Sequence, residues 1–312
     1  MEILLQVVLL LVGFMLLVKG ADFFVDGASG IADKFGIPQL VIGLTIVAMG
    51  TSLPEASVSI TAALKHSADI SIGNVVGSNI LNILLILGIT AMVTPVMVQK
   101  STVKVEIPYM MGVTVLLLAI GGMDNTVSAL DGMILWIFFL IYLGYLFRMA
   151  KAGKEEPKEE KKQLSMWKLF LYTVGGMAII IIGSNFTVDA ATILAQKLGI
   201  SERLIGLTIV AFGTSLPELV TSVTAAKKGN ADIAIGNIVG SNIFNILFIL
   251  GSAALITPIP FASNFRVDTV FAIIVGLILF LCVCKDYKLK RSNGIILLLF
   301  EGAYIMYLVA AA

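Results

Sequence analysis

The sequence predicts an all-α polytopic membrane protein with ten transmembrane helices, arranged as two five-helix repeats of inverted topology. Three observations support this fold class: the composition, the spacing of apolar runs and an internal repeat. Of the 312 residues, 58% are hydrophobic and 13% are charged, and the mean hydropathy is +1.02. Soluble domains are about 45–50% apolar and about 25% charged. This chain therefore has too few polar residues to cover a soluble core.

Apolar runs mark the helices, because a helix needs roughly 20 mostly apolar residues to cross a bilayer. The predicted spans are residues 2–20, 38–64, 69–97, 105–122, 127–149, 166–184, 202–226, 231–257, 267–284 and 292–311. A charged segment, K-A-G-K-E-E-P-K-E-E-K-K, follows the fifth span. We therefore divide the chain into a first repeat at 1–150, a linker at 151–165 and a second repeat at 166–312.

The two halves share two motifs at an offset of 163 residues. One is G-L-T-I-V-A-M-G-T-S-L-P-E at 43–55, which matches G-L-T-I-V-A-F-G-T-S-L-P-E at 206–218. The other is G-N-V-V-G-S-N-I-L-N at 73–82, which matches G-N-I-V-G-S-N-I-F-N at 236–245. Because each half has an odd number of spans, the second half enters the membrane from the opposite side. Inverted repeats of this kind are typical of secondary transporters.

Basic residues are distributed unequally between the loops. Sixteen lysines and arginines lie in one set of alternate loops and only four in the other. Loops rich in lysine and arginine face the cytoplasm. We therefore expect a protein of the plasma membrane with both termini outside and a cytoplasmic central linker. The net charge of +1 argues against a nucleic-acid partner.

The repeated hexamer G-T-S-L-P-E places a proline inside an apolar run. Pro54 has no N–H, and its ring clashes with the carbonyl of Gly50. The helix should break there and free backbone carbonyls around residues 48–51, and Pro217 repeats the argument near residue 211. Irregular backbone at membrane depth is tolerated where it is buried in protein or lines a wet cavity. A simple helix kink is the alternative, but a kink does not require a carboxylate beside it.

A glutamate follows each of these prolines. Glu55 and Glu218 would each cost at least roughly 2.5–3.5 kcal/mol at mid-membrane. Lys65 and Lys227, the nearest basic residues along these two spans, lie near the helix ends. We expect a bound cation to balance the two carboxylates; a purely structural pair of protonated glutamates is the alternative.

The second motif supplies further oxygen atoms. Asn74, Ser78 and Asn82 are four residues apart and share one helical face. The second copy repeats the pattern with Asn237, Ser241 and Asn245. Hard oxygen ligands without thiolate or imidazole favour Ca²⁺ or Na⁺ over Zn²⁺ or Cu⁺. Two carboxylates balance one divalent ion or more than one monovalent ion, which suggests exchange.

The doubled G-T-S-L-P-E and G-N-x-x-G-S-N-I-x-N segments resemble the α-repeats of sodium/calcium exchangers, in the calcium/cation antiporter superfamily. The resemblance implies a secondary active antiporter that exchanges Na⁺ for Ca²⁺ by alternating access, electrogenically and without a cofactor. It also implies that the first and sixth spans slide as a pair, consistent with Gly20 and Gly183.

The resemblance further implies the ligands at the centre of the membrane. Glu55 and Glu218 would bind both ions, joined by the oxygens of Thr51, Thr214, Ala48 and Ala211. Flanking Na⁺ sites would use Ser52, Ser78, Ser215 and Ser241. Potassium-dependent relatives carry aspartate at the position of Asn245, whereas Asn82 and Asn245 are both amides here. K⁺-independent transport is therefore expected.

Three other functions remain as alternatives. A Ca²⁺/H⁺ antiporter usually carries a G-N-x-x-E segment, whereas G-S-N follows here. A cation channel could use the same oxygen ligands, but the inverted repeat favours alternating access. An enzyme is not expected, because the only histidine, His66, lies at a loop and leaves Ser29 without a base. The oligomeric state is left open, and a monomer is expected to suffice for transport.

Overall fold

The computed structural model describes residues 2–153, 164–199 and 211–311, and most of them are helical. The helices are α1 (Glu2–Phe35), α2 (Gln39–Ile42), α3 (Ala48–Thr51), α4 (Leu53–Leu64), α5 (Asp69–Leu81), α6 (Gly88–Val93), α7 (Ile107–Asp124), α8 (Ala129–Ala152), α9 (Met166–Lys197), α10 (Ala211–Thr214), α11 (Leu216–Lys227), α12 (Ala231–Phe244), α13 (Gly251–Ile256), α14 (Ser263–Val283) and α15 (Arg291–Ala311). Wider π-helical turns occur at Gly43–Val47, Asn82–Leu87, Thr102–Glu106 and Asn245–Leu250.

Four two-residue strands tie the halves together at their loops. The strand β1 (Val96–Met97) pairs antiparallel with β4 (Lys288–Leu289), and β2 (Thr126–Val127) pairs with β3 (Ile259–Pro260). Each pair joins a loop of the first half to a loop of the second. The strands therefore fix the two repeats relative to each other near the ends of the helices.

Among the described residues, seven helices are long and apolar enough to cross a membrane. The pair Gln39–Thr51 and Leu53–Leu64 gives an eighth span if its 50° bend lies within one crossing. The predicted span 202–226 falls partly outside the described residues, as does much of the linker. The predicted span 292–311 is the helix α15. The chain is an integral membrane protein made mostly of helices.

The first and sixth spans are longer than predicted. Their predicted ends were residues 20 and 184, whereas α1 runs to Phe35 and α9 to Lys197. Each apolar run ends at charged residues, but the helical backbone continues through them. Beyond residue 20, α1 buries Phe24, Val25 and Ala28 completely. Contact with the rest of the protein sustains the helix where the apolar run has ended.

Glycines allow α1 and α9 to pack closely. A Cβ added at Gly20 would lie 2.8 Å from the backbone nitrogen of Ile180, and one at Gly183 would lie 2.8 Å from that of Leu17. Small residues let helix backbones approach in membranes, where no hydrophobic force drives helices together. The backbones of the two long helices therefore approach each other closely near their midpoints.

The duplicated polar motif lies in the most enclosed part of the protein. Of the 18 most apolar consecutive residues, 72% are buried in the helical stretch Asp69–Val93 and 94% in Ala231–Ile256. The corresponding share in the first helix is 22%. The α12 helix packs directly on the turn Gly43–Val47, where a Cβ at Gly240 would lie 2.8 Å from the Cα of Leu44. The motif therefore faces protein, and its polar atoms are kept away from lipid.

Candidate ion-binding site

Each half contains a helix that is broken just before its glutamate. Between α3 and α4, Ser52 leaves the helical conformation at φ −82° and ψ 10°, with Pro54 in the first turn of α4. In the second half Ser215 does the same at φ −92° and ψ 5°, with Pro217 in the first turn of α11. The predicted breaks are confirmed. They place the N-terminal turns of α4 and α11, which carry Glu55 and Glu218, inside the protein.

The carbonyl of Ala48 is not freed by the break, contrary to expectation. It accepts a hydrogen bond from the backbone N–H of Ser52 at 3.1 Å, because Ser52 precedes Pro54 and still has an N–H to donate. The same oxygen lies 3.3 Å from the hydroxyl of Ser241, which donates to it. This carbonyl therefore uses both lone pairs. The equivalent residue, Ala211, begins α10.

The two glutamates are buried at the contact between the repeats. Glu55 and Glu218 are each 1% exposed. The Ser215 hydroxyl donates to Oε1 of Glu55 at 3.1 Å, and the Ser52 hydroxyl donates to Oε1 of Glu218 at 3.0 Å. Each repeat thus holds the carboxylate of the other, and the polar centre is built equally from both.

One oxygen of each carboxylate has no partner. Oε2 of Glu55 and Oε2 of Glu218 are buried without a hydrogen bond. Within the described ranges, no lysine or arginine lies within salt-bridge distance of either group. An ionised carboxylate away from water is strongly destabilising unless it is paired. A bound cation would stabilise both carboxylates by pairing with these oxygens.

Two amide oxygens of the second motif are unpaired as well. Asn82 donates its Nδ2 to Oδ1 of Asn242 at 2.9 Å, and Asn245 donates its Nδ2 to Oδ1 of Asn79 at 3.0 Å. The remaining Oδ1 atoms of Asn82 and Asn245 are buried without a donor. The nitrogen end of each amide is thus held by the opposite repeat, which leaves the oxygen end available.

Asn79 and Asn242 were missed by the sequence reasoning. Each donates its Nδ2 to the backbone oxygen of the other, at 3.1 and 3.0 Å. They are the same position of the duplicated motif, 163 residues apart. Equivalent residues of an inverted repeat meet only when they lie at its two-fold axis. Their presence in both copies of the motif was a signal, but their nearness to the axis was not visible in the sequence.

Asn74 and Asn237 brace the broken helices, whereas the helical pattern had placed them on a coordinating face. Asn74 donates its Nδ2 to the hydroxyl of Ser59 at 2.9 Å and to the backbone oxygen of Glu55 at 3.2 Å. Asn237 makes the equivalent contacts in its own half. Its Oδ1 also accepts the hydroxyl of Thr51 at 3.0 Å. These amides hold the glutamate turns in place.

The remaining hydroxyls lie around the same centre. Thr51, Ser78 and Ser241 are buried, with 1%, 5% and 0% of their surfaces exposed. Thr214 is half-buried and interacts with the carboxyl of Glu55. The described residues hold no cluster of three or more histidine, cysteine, aspartate or glutamate side chains that could bind a metal. A cation here would need hydroxyl, amide and backbone oxygens beside the two carboxylates.

The geometry defines a class of protein: an integral membrane protein in which two sequence repeats contribute equal parts to one buried acidic centre. A family model described as "Sodium/calcium exchanger protein" matches residues 5–148 and 168–312. The chain therefore belongs to the sodium/calcium exchanger family, and the resemblance seen in its motifs is confirmed.

Relatives and solved structures agree with this family. The chain is 37% identical to the inner membrane protein YrbG of Escherichia coli strain K12, over 98% of this chain and 96% of that protein. It is 34% identical to the sodium/calcium exchanger MaX1 of Methanosarcina acetivorans, over 96% and 97%. The structure of the sodium-calcium exchanger NCX_Mj, soaked with 10 mM Na⁺ and 10 mM Sr²⁺, matches with a TM-score of 0.84 and 36% identity, covering 98% of both chains.

Proposed function

We propose that this protein is an antiporter that exchanges Na⁺ for Ca²⁺ across the membrane by alternating access. The observation that carries the proposal is the pair of buried glutamates, each with an oxygen that no described donor or basic side chain satisfies. Family membership supports the same conclusion, because MaX1 and NCX_Mj are both named sodium/calcium exchangers.

Calcium would bind between the two carboxylates. Glu55 and Glu218 together supply two negative charges, which balance one Ca²⁺. Thr51 and Thr214 lie beside the carboxylates of the opposite repeats and would add oxygens. Ca²⁺ accepts six to eight oxygen ligands in flexible geometry, so a mixed set of this kind suits it.

Sodium would use the surrounding hydroxyls, amides and carbonyls. Ser52 and Ser215 now donate to the glutamates, and a rotation of each hydroxyl would turn its lone pairs toward an ion. The remaining ligands would come from the set Ser78, Ser241, Ala211, Asn82 and Asn245, and the carbonyl of Ala48 would join them after releasing the hydroxyl of Ser241. Transport would be electrogenic when three or more Na⁺ share these oxygens, because they carry more charge than the single Ca²⁺ for which they exchange. The neutral amides at 82 and 245 argue against a requirement for K⁺.

Exchange requires that the empty site does not switch sides. Without a cation, two buried carboxylates would face each other with unsatisfied oxygens, which is costly in a low dielectric. Occupied states are therefore the ones that should change access. The glycine-lined contact holds α1 and α9 close together, so the two helices would slide as a pair relative to the rest of the protein.

The membrane arrangement belongs to the same proposal. Ten spans, a repeat at 1–150, a linker at 151–165 and a repeat at 166–312 would place both termini outside and the linker in the cytoplasm of a plasma-membrane protein. A cysteine-free variant carrying Lys65→Cys or Lys34→Cys tests this with a membrane-impermeant maleimide. In intact cells the reagent should label Lys65→Cys and not Lys34→Cys. The opposite labelling pattern would show that the orientation is the reverse of the one proposed.

Transport in proteoliposomes tests the function. Vesicles loaded with Na⁺ should take up radioactive Ca²⁺ when diluted into Na⁺-free medium, and Glu55→Gln and Glu218→Gln should abolish the uptake. Asp69→Asn, an exposed carboxylate at the start of α5, is the matched control and should transport normally. Normal transport by either glutamine variant would contradict the site. Uptake driven by a pH gradient alone, or a Ca²⁺ leak in Na⁺-free vesicles as fast as exchange, would contradict Na⁺ coupling.

A further inference from the structure

A second polar cluster lies between α7 and α8, apart from the exchange centre. Its carboxylate is Glu106, which is completely buried at the end of the π-helical turn Thr102–Glu106. Tyr145 of α8 donates its hydroxyl to Oε1 of Glu106. Oε2 is buried and has no partner. Short π-helical segments are frequent at functional sites, and this one carries the unpaired acid.

Two further buried hydroxyls, from Tyr142 and Thr102, lie near this carboxylate. Tyr142 is 2% exposed, and its hydroxyl makes no hydrogen bond. Its ring is stacked on Tyr109, with centroids 5.5 Å apart, and its hydroxyl interacts electrostatically with Glu106. Thr102 is completely buried, lies one helical turn before Glu106, and its hydroxyl interacts with the same carboxyl. Buried polar groups are almost always hydrogen-bonded, so the unpaired Oε2 of Glu106 and the unpaired hydroxyl of Tyr142 at one place point to an occupant.

The second repeat contains the equivalent residues 162 positions later. Asp268, Phe271 and Tyr304 correspond to Glu106, Tyr109 and Tyr142. The ring stacking recurs, with the Phe271 and Tyr304 centroids 4.7 Å apart.

The hydrogen bonding differs between the two copies. In the second, the Tyr304 hydroxyl donates to Asp268 at 3.2 Å, and Asp268 is half-buried. In the first, the longer glutamate pairs with Tyr145, one turn further along α8, and leaves Tyr142 unpaired. The second copy is therefore a satisfied version of the same arrangement and a natural control.

The charge of the first cluster sets the class of its ligand. Glu106 is its single carboxylate, and within the described residues no basic side chain forms an ion pair with it. Ca²⁺ is normally bound by six to eight oxygens, often from several carboxylates. One carboxylate with hydroxyl and phenol oxygens balances a single positive charge. We propose that Glu106, Tyr142 and Thr102 bind a monovalent alkali cation at a site separate from the exchange centre.

The position of this site indicates how a bound cation would affect the protein. Tyr145 lies near the end of α8, where its hydroxyl also approaches the sulfur of Met149 at 3.8 Å. Because Glu106 and Thr102 lie in the turn before α7 and Tyr142 lies on α8, the cation would join α7 to α8 without sharing a ligand with the exchange centre. It would stabilise the first repeat and would not be transported.

Binding of radioactive sodium, with rubidium as the probe for potassium-like ions, tests the proposal. Saturating Ca²⁺ first displaces monovalent ions from the exchange centre of the purified wild-type protein. We expect a single alkali ion to remain bound, and the Glu55→Gln, Glu218→Gln double variant should bind it without Ca²⁺. Glu106→Gln should lose this ion, whereas Asp268→Asn should keep it. Absence of both probes from the Ca²⁺-saturated protein, or their retention by Glu106→Gln, would overturn the proposal.

Tyr142→Phe separates a ligand role from a structural one. The hydroxyl makes no hydrogen bond, so its removal should leave the melting temperature in alkali-free buffer unchanged or slightly higher. The same variant should lose most of the upward shift in melting temperature that Na⁺ or Rb⁺ produces in the presence of Ca²⁺. An undiminished shift would overturn the assignment of Tyr142. Tyr304→Phe, at the equivalent position, should keep the full shift.

Discussion

The hydroxyl of Ser52 donates a hydrogen bond to the carboxylate of Glu218 at 3.0 Å, across the boundary between the two repeats. Ser215 makes the same contact with Glu55 at 3.1 Å. Neither half therefore contains a complete site, because each carboxylate depends on a serine of the other half. Each copy of the hexamer G-T-S-L-P-E supplies one glutamate, and its serine donates to the glutamate of the other copy.

Ser52→Ala and Ser215→Ala should weaken Na⁺ activation of Ca²⁺ uptake to a similar extent. Each substitution removes a hydroxyl oxygen that would bind Na⁺ after rotation, so the Na⁺ concentration for half-maximal exchange should rise, about tenfold for a ligand that contributes about 1.4 kcal/mol. Ser57→Ala, an exposed serine on the same α4 helix, is the control and should behave as wild type. A large effect of one serine with none of the other would contradict equal half-sites.

Asn245→Asp should make the protein depend on cations for its stability. Asn245 donates its Nδ2 to Oδ1 of Asn79, and an ionised aspartate would instead place two acceptor oxygens against each other. The loss should be about 1–3 kcal/mol in cation-free buffer. Calorimetry or thermal denaturation should show a lower melting temperature that Na⁺ or Ca²⁺ restores more strongly than in wild type. Asn245→Ala removes the amide without adding charge, and equal restoration there would argue against a nearby ion.

Gly176→Ala should disturb the close packing by which α1 and α9 would move as a pair. A Cβ at Gly176 would lie 2.5 Å from the backbone nitrogen of Phe24, whereas a Cβ at Gly175 would meet nothing within 4 Å. Overpacking typically costs about 1–3 kcal/mol, so Gly176→Ala should lower both the melting temperature and the initial exchange rate. Gly175→Ala should preserve both. Identical rates in the two variants would show that this contact does not limit transport.

Pro54→Ala should separate stability from transport. Alanine restores an N–H opposite the carbonyl of Gly50 and removes the clash that favours the 50° bend. A straighter helix would move Glu55 away from Ser215, so Ca²⁺ binding measured by titration calorimetry should weaken while thermal stability is kept. Pro108→Ala, in the first turn of α7, should leave binding unchanged. Normal Ca²⁺ affinity in Pro54→Ala would mean that the break does not position the carboxylate.

Much of the architecture could be read from local patterns. The broken helices follow from Pro54 and Pro217, and the burial of Glu55 and Glu218 follows from apolar flanks with no basic partner nearby. The lengths of α1 and α9 could not be read this way. Hydropathy responds to the lipid-facing part of a helix, and α1 continues past it because Phe24 and its neighbours pack against protein.

What the sequence determined by itself is the duplication, the helix breaks and the concentration of oxygen-bearing side chains in the repeated motifs, because each is a property of neighbouring residues or of matching motifs. Tertiary structure decided which atoms remain unpaired. Asn79 and Asn242 donate to each other's backbone oxygens, and their side-chain oxygens accept from Asn245 and Asn82, so the amide oxygens of Asn82 and Asn245 are left without a donor. Ser52 donates its hydroxyl to Glu218, which is distant in the sequence, because the two repeats contact each other at that point. Spacing along a chain carries no information about such pairings, which depend on how two halves are placed in space.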